Sequence, residues 1–321
     1  MPPAIKFKHI YEVIFCQFNI KEQLFLLLYS VIIKKMLEKI EKKSDFSLKN
    51  VTFCDAHFHY AVCKEHEPDL NVTWKACSCA HSFEEWEVQK SAPENVIKAF
   101  GLHPQLCTQP DFDLKSYAYF MEDLLRARKE ALALGQEALA LGRQPFIQAI
   151  GEAGFDYFTP EFKEKRALQE EMWNIQLDLA EAYKIPLIIH CRKANEKLFE
   201  YASRLKKLPF VLFHSFMGSA VEANSLINRG IHCAFSFGKQ MKNGNKKVIE
   251  CVQKLPLENL LLETDAPFQT LKGEAYTSAK EIELVYHAAA ALRGIASSQS
   301  DNNLIEELCL QFERNFNNLY L

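Results

Sequence analysis

The stretch NVTFCDAHFH, residues 50–59, joins a short β-branched and aromatic run to two histidines that are one residue apart. The run predicts a β-strand, and side chains at positions i and i+2 of a strand point to the same side. His57 and His59 could therefore bind one metal ion together. A pair of this kind also arises by chance at the solvated end of a strand, so its meaning depends on the rest of the chain.

The composition indicates a globular protein of one large domain or two ordinary domains, since 48% of its 321 residues are hydrophobic. The formal net charge of -3 does not indicate the broad cationic surface of a protein that coats nucleic acid, so any contact with nucleic acid is expected to be local. The ten cysteines are scattered along a chain without a clean secretory signal. We expect reduced thiols and a cytoplasmic location.

Residues 1–50 are interpreted as an N-terminal extension, and its apolar stretch LFLLLYSVII covers Leu24 to Ile33. About ten apolar residues are too few to span a bilayer, which needs roughly 20. No stable membrane insertion is therefore expected. Three interpretations are open: an amphipathic helix packed on the main domain, a membrane-surface anchor, or a translated upstream stretch whose natural start is Met36. The first and the third are favoured.

From Val51 onward, strand-like runs alternate with amphipathic segments such as EFKEKRALQEEMWNIQLDLAEAYK (161–184) and SAVEANSLINRG (219–230). Eight such units predict an α/β fold, a (β/α)8 barrel of the TIM type that covers residues 51–321. A doubly wound open sheet would also alternate, but it predicts a G-x-G-x-x-G turn after its first strand, and none follows VTFCDAHFH. The predicted strands are NVTFCDAHFH (50–59), WKACSCA (74–80), VIKAFGLHP (96–104), PFIQAIGEAG (145–154), IPLIIHCR (185–192), PFVLFHSF (209–216), IHCAFSFG (231–238) and LLLETDAP (260–267).

Two further motifs have local structural explanations. CSCAH (77–81) contains two cysteines and a histidine, but no second pair of metal-binding residues lies nearby at the spacing of a structural zinc site. A buried strand followed by a helix is favoured, with Ser82 as the N-cap and Glu85 as its capping-box partner. The duplicated heptads EALALGQ and EALALGR (130–143) predict a lengthened surface helix and loop without a catalytic role.

Polar side chains that bind metals or carry protons close most of the predicted strands. In a barrel the carboxyl ends of all the strands meet on one face, where the catalytic groups of such enzymes lie. Any one of these residues has an ordinary structural explanation, such as a hydrogen-bonded histidine at a strand end. Together they would carry a large desolvation cost beside apolar strands unless a dication offset it. The residues are His57, His59, His103, Glu152, His190, His214 and Asp265.

Four imidazoles and two carboxylates of this set exceed the needs of one tetrahedral ion. They suit two adjacent ions bridged by a carboxylate or a water. The mixed nitrogen and oxygen ligands are compatible with zinc, manganese or iron, and magnesium is not excluded. Two divalent ions are therefore expected, and the type of ligand alone leaves their identity open.

Six motifs resemble those of the TatD-type metal-dependent hydrolases, a family of amidohydrolase-like barrels. They occur in the order of the family and roughly at its spacing, and the resemblance covers residues 51 to about 321. Each motif alone is weak, whereas the six together are highly specific. The motifs are DAHFH (55–59), FGLHP (100–104), IGEAGFD (150–156), PLIIHCR (186–192), FHSFMGS (213–219) and LLLETDAP (260–267).

The resemblance implies a ligand set, residue by residue. One ion is held by His57, His59 and Asp265, the second by His190 and His214, and Glu152 bridges the two. Asp55 is expected to orient a ligand rather than to bind a metal itself. His103 and Arg192 are expected near the substrate, as phosphate contacts.

The resemblance also implies a nuclease or exonuclease that hydrolyses phosphodiester bonds of DNA. A water activated by the two ions attacks phosphorus in line, with Asp265 and Glu152 as the catalytic carboxylates and Asp265 as the group that accepts or shuttles the proton. An enzyme that grips one or two phosphates needs no extended basic surface, which agrees with the net charge of -3.

The chain departs from the family where an Arg-x-Asn-x-Pro segment usually follows ETDAP, because it reads FQTLKGEAYTSAKEIELVYHAAAAL (268–292). The metal site is therefore better supported than the substrate. A hydrolase of an amide, ester, lactone or aminoacyl bond on the same barrel is the alternative, and a non-catalytic barrel is a third possibility. The closing NFNNLY (315–320) resembles the C-terminal helix of the family, which returns to the barrel.

Overall fold

The structure, a computed structural model, describes residues 51–133, 146–295 and 302–320, which all belong to the unit Leu48–Leu321. The predicted N-terminal extension, with its candidate start at Met36, lies outside the described residues. The same holds for the duplicated heptads from residue 134 onward.

Eight strands form the centre of the fold, and each begins inside one of the predicted strand stretches. They are short and rich in apolar or small side chains, as strands covered on both faces must be. In chain order they are β1 (Cys54–Phe58), β2 (Lys75–Ala80), β3 (Val96–Phe100), β4 (Ala149–Asp156), β5 (Leu187–Arg192), β6 (Val211–Phe213), β7 (Cys233–Phe237) and β8 (Leu260–Leu262).

Every strand pairs in parallel with its neighbour along the chain, in the order β1 to β8. Hydrogen bonds between the carboxyl-terminal part of β1, with the residue after it, and the turn after β8 close the sheet on itself. There the His59 amide donates to the Ala266 carbonyl at 2.8 Å, and the Asp265 amide donates to the His57 carbonyl at 3.0 Å. The predicted (β/α)8 barrel is confirmed, and its closure runs through three of the predicted metal ligands.

Helices connect the strands, and none of those in the described ranges is long and apolar enough to cross a membrane. Short 3-10 helices lie at Pro104–Thr108, Lys239–Met241, Leu257–Asn259 and Ala279–Glu281. The α-helices are α1 (Tyr60–His66), α2 (Phe83–Gln89), α3 (Leu114–Ala133), α4 (Pro160–Glu164), α5 (Arg166–Tyr183), α6 (Asn195–Glu200), α7 (Ala202–Leu205), α8 (Ala220–Asn228), α9 (Lys246–Lys254), α10 (Ile282–Leu292) and α11 (Asn302–Tyr320).

Two helical predictions are refined by the structure. The Ser82 hydroxyl accepts a hydrogen bond from the Glu85 amide at 3.1 Å, so the predicted N-cap of α2 is confirmed. The Glu85 carboxylate accepts from the His81 amide at 2.6 Å, one residue earlier than a capping box requires. The amphipathic segment 161–184 is divided at Lys165, which ends α4 and precedes α5.

The last helix, α11, packs against β8 and β1, as the resemblance of NFNNLY implied. Asn315 is buried and donates both amide hydrogens to backbone carbonyls, those of Leu257 and Leu260, each at 2.7 Å. The Tyr320 hydroxyl donates to the Ala56 carbonyl at 2.9 Å. These bonds attach the C-terminal end of the described chain to the strands that carry the first and last predicted ligands.

The nine cysteines of the described ranges are free thiols. Cys77 and Cys79 are buried in β2, as the interpretation of CSCAH as a strand predicted. Burial raises the pKa of the Cys54 and Cys233 thiols to about 12, which keeps them protonated and unreactive at neutral pH.

Candidate metal centre

One cavity of about 590 Å³ opens at the carboxyl ends of the strands. All the predicted metal ligands other than His57 line it. His57 is fully buried next to them, in contact with His59, Glu152 and Asp265. Residues from strands far apart in the sequence therefore converge on one site, as the barrel prediction required. Glu152 and His190 do not close their strands as predicted, because β4 continues to Asp156 and β5 to Arg192.

Glu152 lies at the centre of the cluster and presents one carboxylate oxygen to each pair of histidines. Its Oε1 is 3.2 Å from His57 Nε2 and 3.4 Å from His59 Nε2. Its Oε2 is 3.1 Å from His190 Nδ1 and 2.5 Å from His214 Nε2. A carboxylate that bridges two cations needs this division, because each oxygen must face a different set of ligands.

Asp265 adds a second carboxylate to the side of the cluster that contains His57 and His59. Its Oδ1 lies 3.5 Å from His57 Nε2 and 3.4 Å from His59 Nε2. Its backbone φ of 51° falls in the left-handed region, which is uncommon for a residue with a side chain. The turn after β8 takes this conformation while the Asp265 amide is bonded to the His57 carbonyl, and it directs the carboxylate towards the end of β1.

Divalent cations account for the close spacing of these nitrogen and oxygen atoms better than hydrogen bonds among the side chains do. His57 Nε2 and His59 Nε2 are 3.2 Å apart, and a hydrogen bond between two imidazole nitrogens holds only one proton. Three overlapping groups have ligand atoms within 4.8 Å of one another, so more than one ion position is available. A cation turns the crowding of these lone pairs and carboxylates into attraction. The groups are His57–His214–Asp265, His57–His59–Glu152 and His103–Glu152–His190.

Burial and neighbouring charge act on the cluster in opposite directions. Burial disfavours the charged form of Glu152, but the surrounding histidines outweigh it and hold the pKa of this carboxyl well below its usual range. Burial of Asp265 is likewise outweighed, here by hydrogen bonds from His57 and His59, and the pKa of Asp265 is lowered. Burial lowers the pKa of His103 well below its ordinary value. Both carboxylates are therefore ionised at neutral pH, and the imidazole of His103 is neutral.

His190 has a second carboxylate neighbour, on the ring nitrogen that faces away from Glu152, and this carboxylate was not predicted from the sequence. His190 Nε2 lies 3.3 Å from Asp156 Oδ2, which leaves Nδ1 to face Glu152. Asp156 is itself held by Gln105, whose side-chain amide donates to Oδ2 at 2.7 Å. Burial opposes protonation of His190, but the two carboxylates outweigh it and raise the pKa of His190 to about 9. With a metal on Nδ1, Asp156 would still accept the N–H of Nε2 and would fix the ring orientation.

Asp55 was expected to orient a ligand, and it acts on the backbone instead of on an imidazole. Its Oδ1 accepts from the amides of His57 at 3.2 Å and Thr264 at 2.9 Å, and its Oδ2 accepts from the Thr264 hydroxyl at 2.6 Å. Asp55 thereby ties the end of β1 to the turn after β8. The His57 ring is instead contacted through Nδ1 by the Cys79 thiol, at 3.4 Å.

His103 and Arg192, the predicted phosphate contacts, both line the cavity. His103 Nε2 lies 3.3 Å from His190 Nδ1 and 3.7 Å from Glu152 Oε2, within the cluster itself. Arg192 Nη1 lies 3.7 Å from Asp156 Oδ2, and its guanidinium stands 4.1 Å from the centre of the Phe158 ring. The Arg192 side chain keeps 41% of its surface exposed, so it is accessible to an anion in the cavity.

Four polar residues whose side chains contact predicted metal ligands were not predicted from the sequence. His81 Nε2 lies 3.1 Å from Glu152 Oε1, although CSCAH was explained as a strand and a helix start. Asp156 and Glu263 had a usable signal, because each lies an even number of residues from a predicted ligand on the same segment. Gln269 had none, since the turn after β8 has no regular spacing. The four residues are His81, Asp156, Glu263 and Gln269.

Gly154 allows β4 and β5 to approach closely enough to bring His190 to Glu152. Its φ is 146°, and a Cβ atom at this position would collide with the carbonyl oxygen of His190. A side chain here would separate the two strands and move the His190 ring away from the Glu152 carboxylate.

A comparison with protein families matches residues 38–320 to the family described as TatD related DNase. Among curated relatives, an uncharacterized metal-dependent hydrolase of Mycoplasma genitalium is 32% identical over 57% of this chain and 64% of that protein. The 3'-5' ssDNA/RNA exonuclease TatD of Salmonella typhimurium is 33% identical over 40% of this chain and 49% of that protein. The chain thus spans less than two thirds of the length of either relative.

Two solved structures share the fold. YjjV, a TatD homolog from Escherichia coli K12, matches with a TM-score of 0.64 and 24% identity, and covers 84% of this chain and 97% of that one. An uncharacterized amidohydrolase from Saccharomyces cerevisiae matches with a TM-score of 0.58 and 14% identity, and covers 84% of this chain and 100% of that one. At these identities the likeness establishes the barrel and says nothing of the activity.

Proposed function

Because the chain belongs to the family of TatD-related DNases, we propose that it is a metal-dependent hydrolase that cleaves phosphodiester bonds of DNA, as a deoxyribonuclease or exonuclease. One observation carries the proposal. The two oxygens of Glu152 face separate histidine pairs and lie within 3.4 Å of all four ring nitrogens. Two cations across this carboxylate would be adjacent, an arrangement that serves the in-line displacement at phosphorus.

The proposed ligands are those of the sequence analysis. His57, His59 and Asp265 would hold one ion, His190 and His214 the other, and Glu152 both. Imidazole and carboxylate donors are compatible with zinc and manganese, and the carboxylates also permit magnesium. When bound, the ions would supply positive charge to the phosphoryl oxygens and lower the pKa of the attacking water.

The residues of the chain account for the remaining chemistry. As the new P–O bond forms, Asp265 takes the proton of the attacking water, since it is ionised and lies at the edge of the cavity. Arg192 and His103 contact the non-bridging oxygens and stabilise the charge that develops there. The P–O bond to the sugar then breaks on the opposite side, and the departing oxygen takes a proton from solvent.

The substrate is proposed to be contacted locally, because the net charge of -3 does not favour a broad cationic surface. Arg192 and Lys193 supply positive charge near the cavity, and the Lys193 ammonium lies 4.7 Å from the centre of the Phe158 ring. We also propose a cytoplasmic location, which the free thiols of the described ranges support.

The test of the nuclease function uses protein stripped of metal and reconstituted separately with zinc, manganese or magnesium. Each preparation is incubated with end-labelled single-stranded DNA, a small phosphodiester, and a panel of amides, esters and lactones. We expect DNA to be shortened only when a metal is present. Glu171→Gln, on the exposed surface of α5, is the control and retains activity.

Turnover of amides or esters with the DNA left intact would contradict the nuclease proposal. It would favour the alternative hydrolase, which stays open because segment 268–292 departs from the usual sequence of the family.

A further inference from the structure

Phe268 stands at the wall of the cavity with its ring half exposed. The residue keeps 51% of its surface accessible, and it lines the same cavity as the predicted metal ligands. Its backbone is anchored to the metal centre, because the Phe268 amide donates to the Asp265 carbonyl at 2.7 Å. A large apolar ring is therefore held in solvent at a defined place beside the reacting groups.

The Phe268 ring packs against a metal ligand without being covered by it. Its centroid lies 5.0 Å from that of the His59 ring, and the two planes meet edge to face at 77°. This contact restrains the orientation of the ring, and the exposed half of the residue is left for another partner.

The exposed cation of the cavity lies on a different wall. Arg192 ends β5 and pairs with Asp156, which holds His190. Phe268 follows β8 and contacts His59, and two strands of the barrel, β6 and β7, separate β5 from β8. A phosphate at the metal centre therefore has a cation on one side and an aromatic ring on another.

We propose that Phe268 is a nucleobase platform, on which one of the two nucleotides that flank the scissile phosphate stacks its base. The inference rests on the proposed nuclease function and specifies its substrate. Because every base has a π face, such a platform selects by base availability rather than by sequence. A base inside a duplex is already paired and stacked, so the platform favours single-stranded nucleic acid.

The experiment compares three single-stranded oligonucleotides of the same length. One is unmodified. The second carries an abasic residue on the 5' side of the first phosphate that the protein cleaves, and the third carries it on the 3' side of that phosphate. For the wild-type protein we expect one of the two abasic oligonucleotides to be cleaved about 5- to 150-fold more slowly, the range that base stacking on an aromatic ring supplies.

The variants separate stacking from packing. Phe268→Leu keeps an apolar side chain against His59 but has no aromatic face. It should therefore lose the abasic penalty, which is the slower cleavage of the sensitive abasic oligonucleotide, and cleave that oligonucleotide and the unmodified one at similar rates. Phe268→Trp should keep the penalty. Tyr119→Ala is the matched control, because Tyr119 is a 71% exposed aromatic residue of α3 outside the cavity lining. It should behave as the wild type.

Stopped-flow fluorescence supplies a second readout that does not depend on cleavage. 2-Aminopurine at the stacked position should be quenched on binding to the wild-type protein and not to Phe268→Leu. In the cleavage assay, the proposal is overturned if the wild type shows no abasic penalty, if Phe268→Leu keeps the penalty, or if Phe268→Leu slows the cleavage of all three oligonucleotides by one factor. In the fluorescence assay, it is overturned if the wild type and Phe268→Leu quench 2-aminopurine equally. Failure of the wild type to shorten any oligonucleotide with any metal would instead contradict the nuclease function, and the quenching would still test the platform.

Discussion

Gln269 donates its side-chain amide to Oδ2 of Asp265 at 2.9 Å, and this bond leaves Oδ1 as the oxygen that faces His57 and His59. The same amide lies 3.2 Å from the Glu263 carboxylate and also contacts the Ser215 hydroxyl. Gln269 has a φ of 53°, in the left-handed region, so the turn after β8 places its side chain back against the metal centre.

Gln269→Met removes this donor while it keeps the length of the side chain. The Asp265 carboxylate is then free to rotate, and we expect metal affinity to fall by about 10- to 100-fold, the usual effect of losing an outer contact to a ligand. Calorimetric titration of metal-free protein with zinc or manganese measures the change. Gln109→Met, at an exposed glutamine beyond the Pro104–Thr108 helix, is the control. Unchanged affinity in Gln269→Met would show that the bond does not position Asp265.

Glu152→Gln removes the charge shared between the two histidine pairs and keeps the shape of the side chain. We expect bound metal to be lost and DNA cleavage to fall by at least about a hundredfold, since a bound ion supplies several kcal/mol of charge stabilisation. Elemental analysis of the purified variant measures the metal content. Added metal should raise the melting temperature of the wild type more than that of the variant, because only a ligand that binds the folded state stabilises it. A variant with full metal content would argue against the bridging role.

Asp156→Ala removes the acceptor of the His190 Nε2 hydrogen, whereas Asp156→Asn keeps an acceptor oxygen. We expect the alanine variant to bind metal about 10- to 100-fold more weakly, because the ring of His190 is no longer oriented. The asparagine variant should lose less metal affinity, because its side-chain oxygen still accepts the hydrogen of His190 Nε2. Metal titration of both variants measures this order. Asp69→Ala, at an exposed aspartate, is the control. If the two Asp156 variants and the wild type bind metal alike, His190 is held by its packing alone.

Glu222 should give a pH-dependent contribution to stability through the start of α8. Its Oε2 accepts from the Ser219 amide at 2.7 Å and from the Ser219 hydroxyl at 2.8 Å. Burial raises the pKa of Glu222, but these bonds and one from Asn195 outweigh it, so the pKa is lowered from the ordinary 4.5. The ionised form therefore stabilises the fold above pH 4.5, and the contribution is lost as the pH falls through the lower folded value.

We expect Glu222→Gln to lower the free energy of unfolding by about 0.5–1 kcal/mol at pH 7, the magnitude of a helix cap. Urea denaturation at pH 7 and below pH 4.5 measures the difference, which should shrink in acid. Glu171→Gln serves as the exposed control. A difference that is the same at both pH values would place the effect in packing rather than in the charge.

The strands of the barrel could be predicted more completely than its helices and the contacts at its site. The eight strands were found because each is a short apolar run between helical segments, and both signals are local. The helix that contains Asn315 was recognised only by resemblance, since its bonds reach the carbonyls of Leu257 and Leu260, 58 and 55 residues away. Segment 161–184 was recognised only as amphipathic, and the structure divides it at Lys165, where no proline or glycine marks the boundary.

The sequence by itself determined the order of the strands and which polar residues lie on them or directly after them, because the strand period and the chain direction are local properties. It did not determine where β4 and β5 end, since they continue beyond Glu152 and His190 to Asp156 and Arg192. In a parallel barrel the carboxyl ends of the strands meet on one face, so His57, Glu152, His190 and Asp265 were expected to converge. Only the tertiary structure decided which oxygen of Glu152 faces which histidine, that Cys79 rather than Asp55 contacts the His57 ring, and that Gln269 holds Asp265. Those contacts depend on side-chain torsions and inter-strand distances set by packing across the whole barrel, and residue spacing along the chain does not encode them.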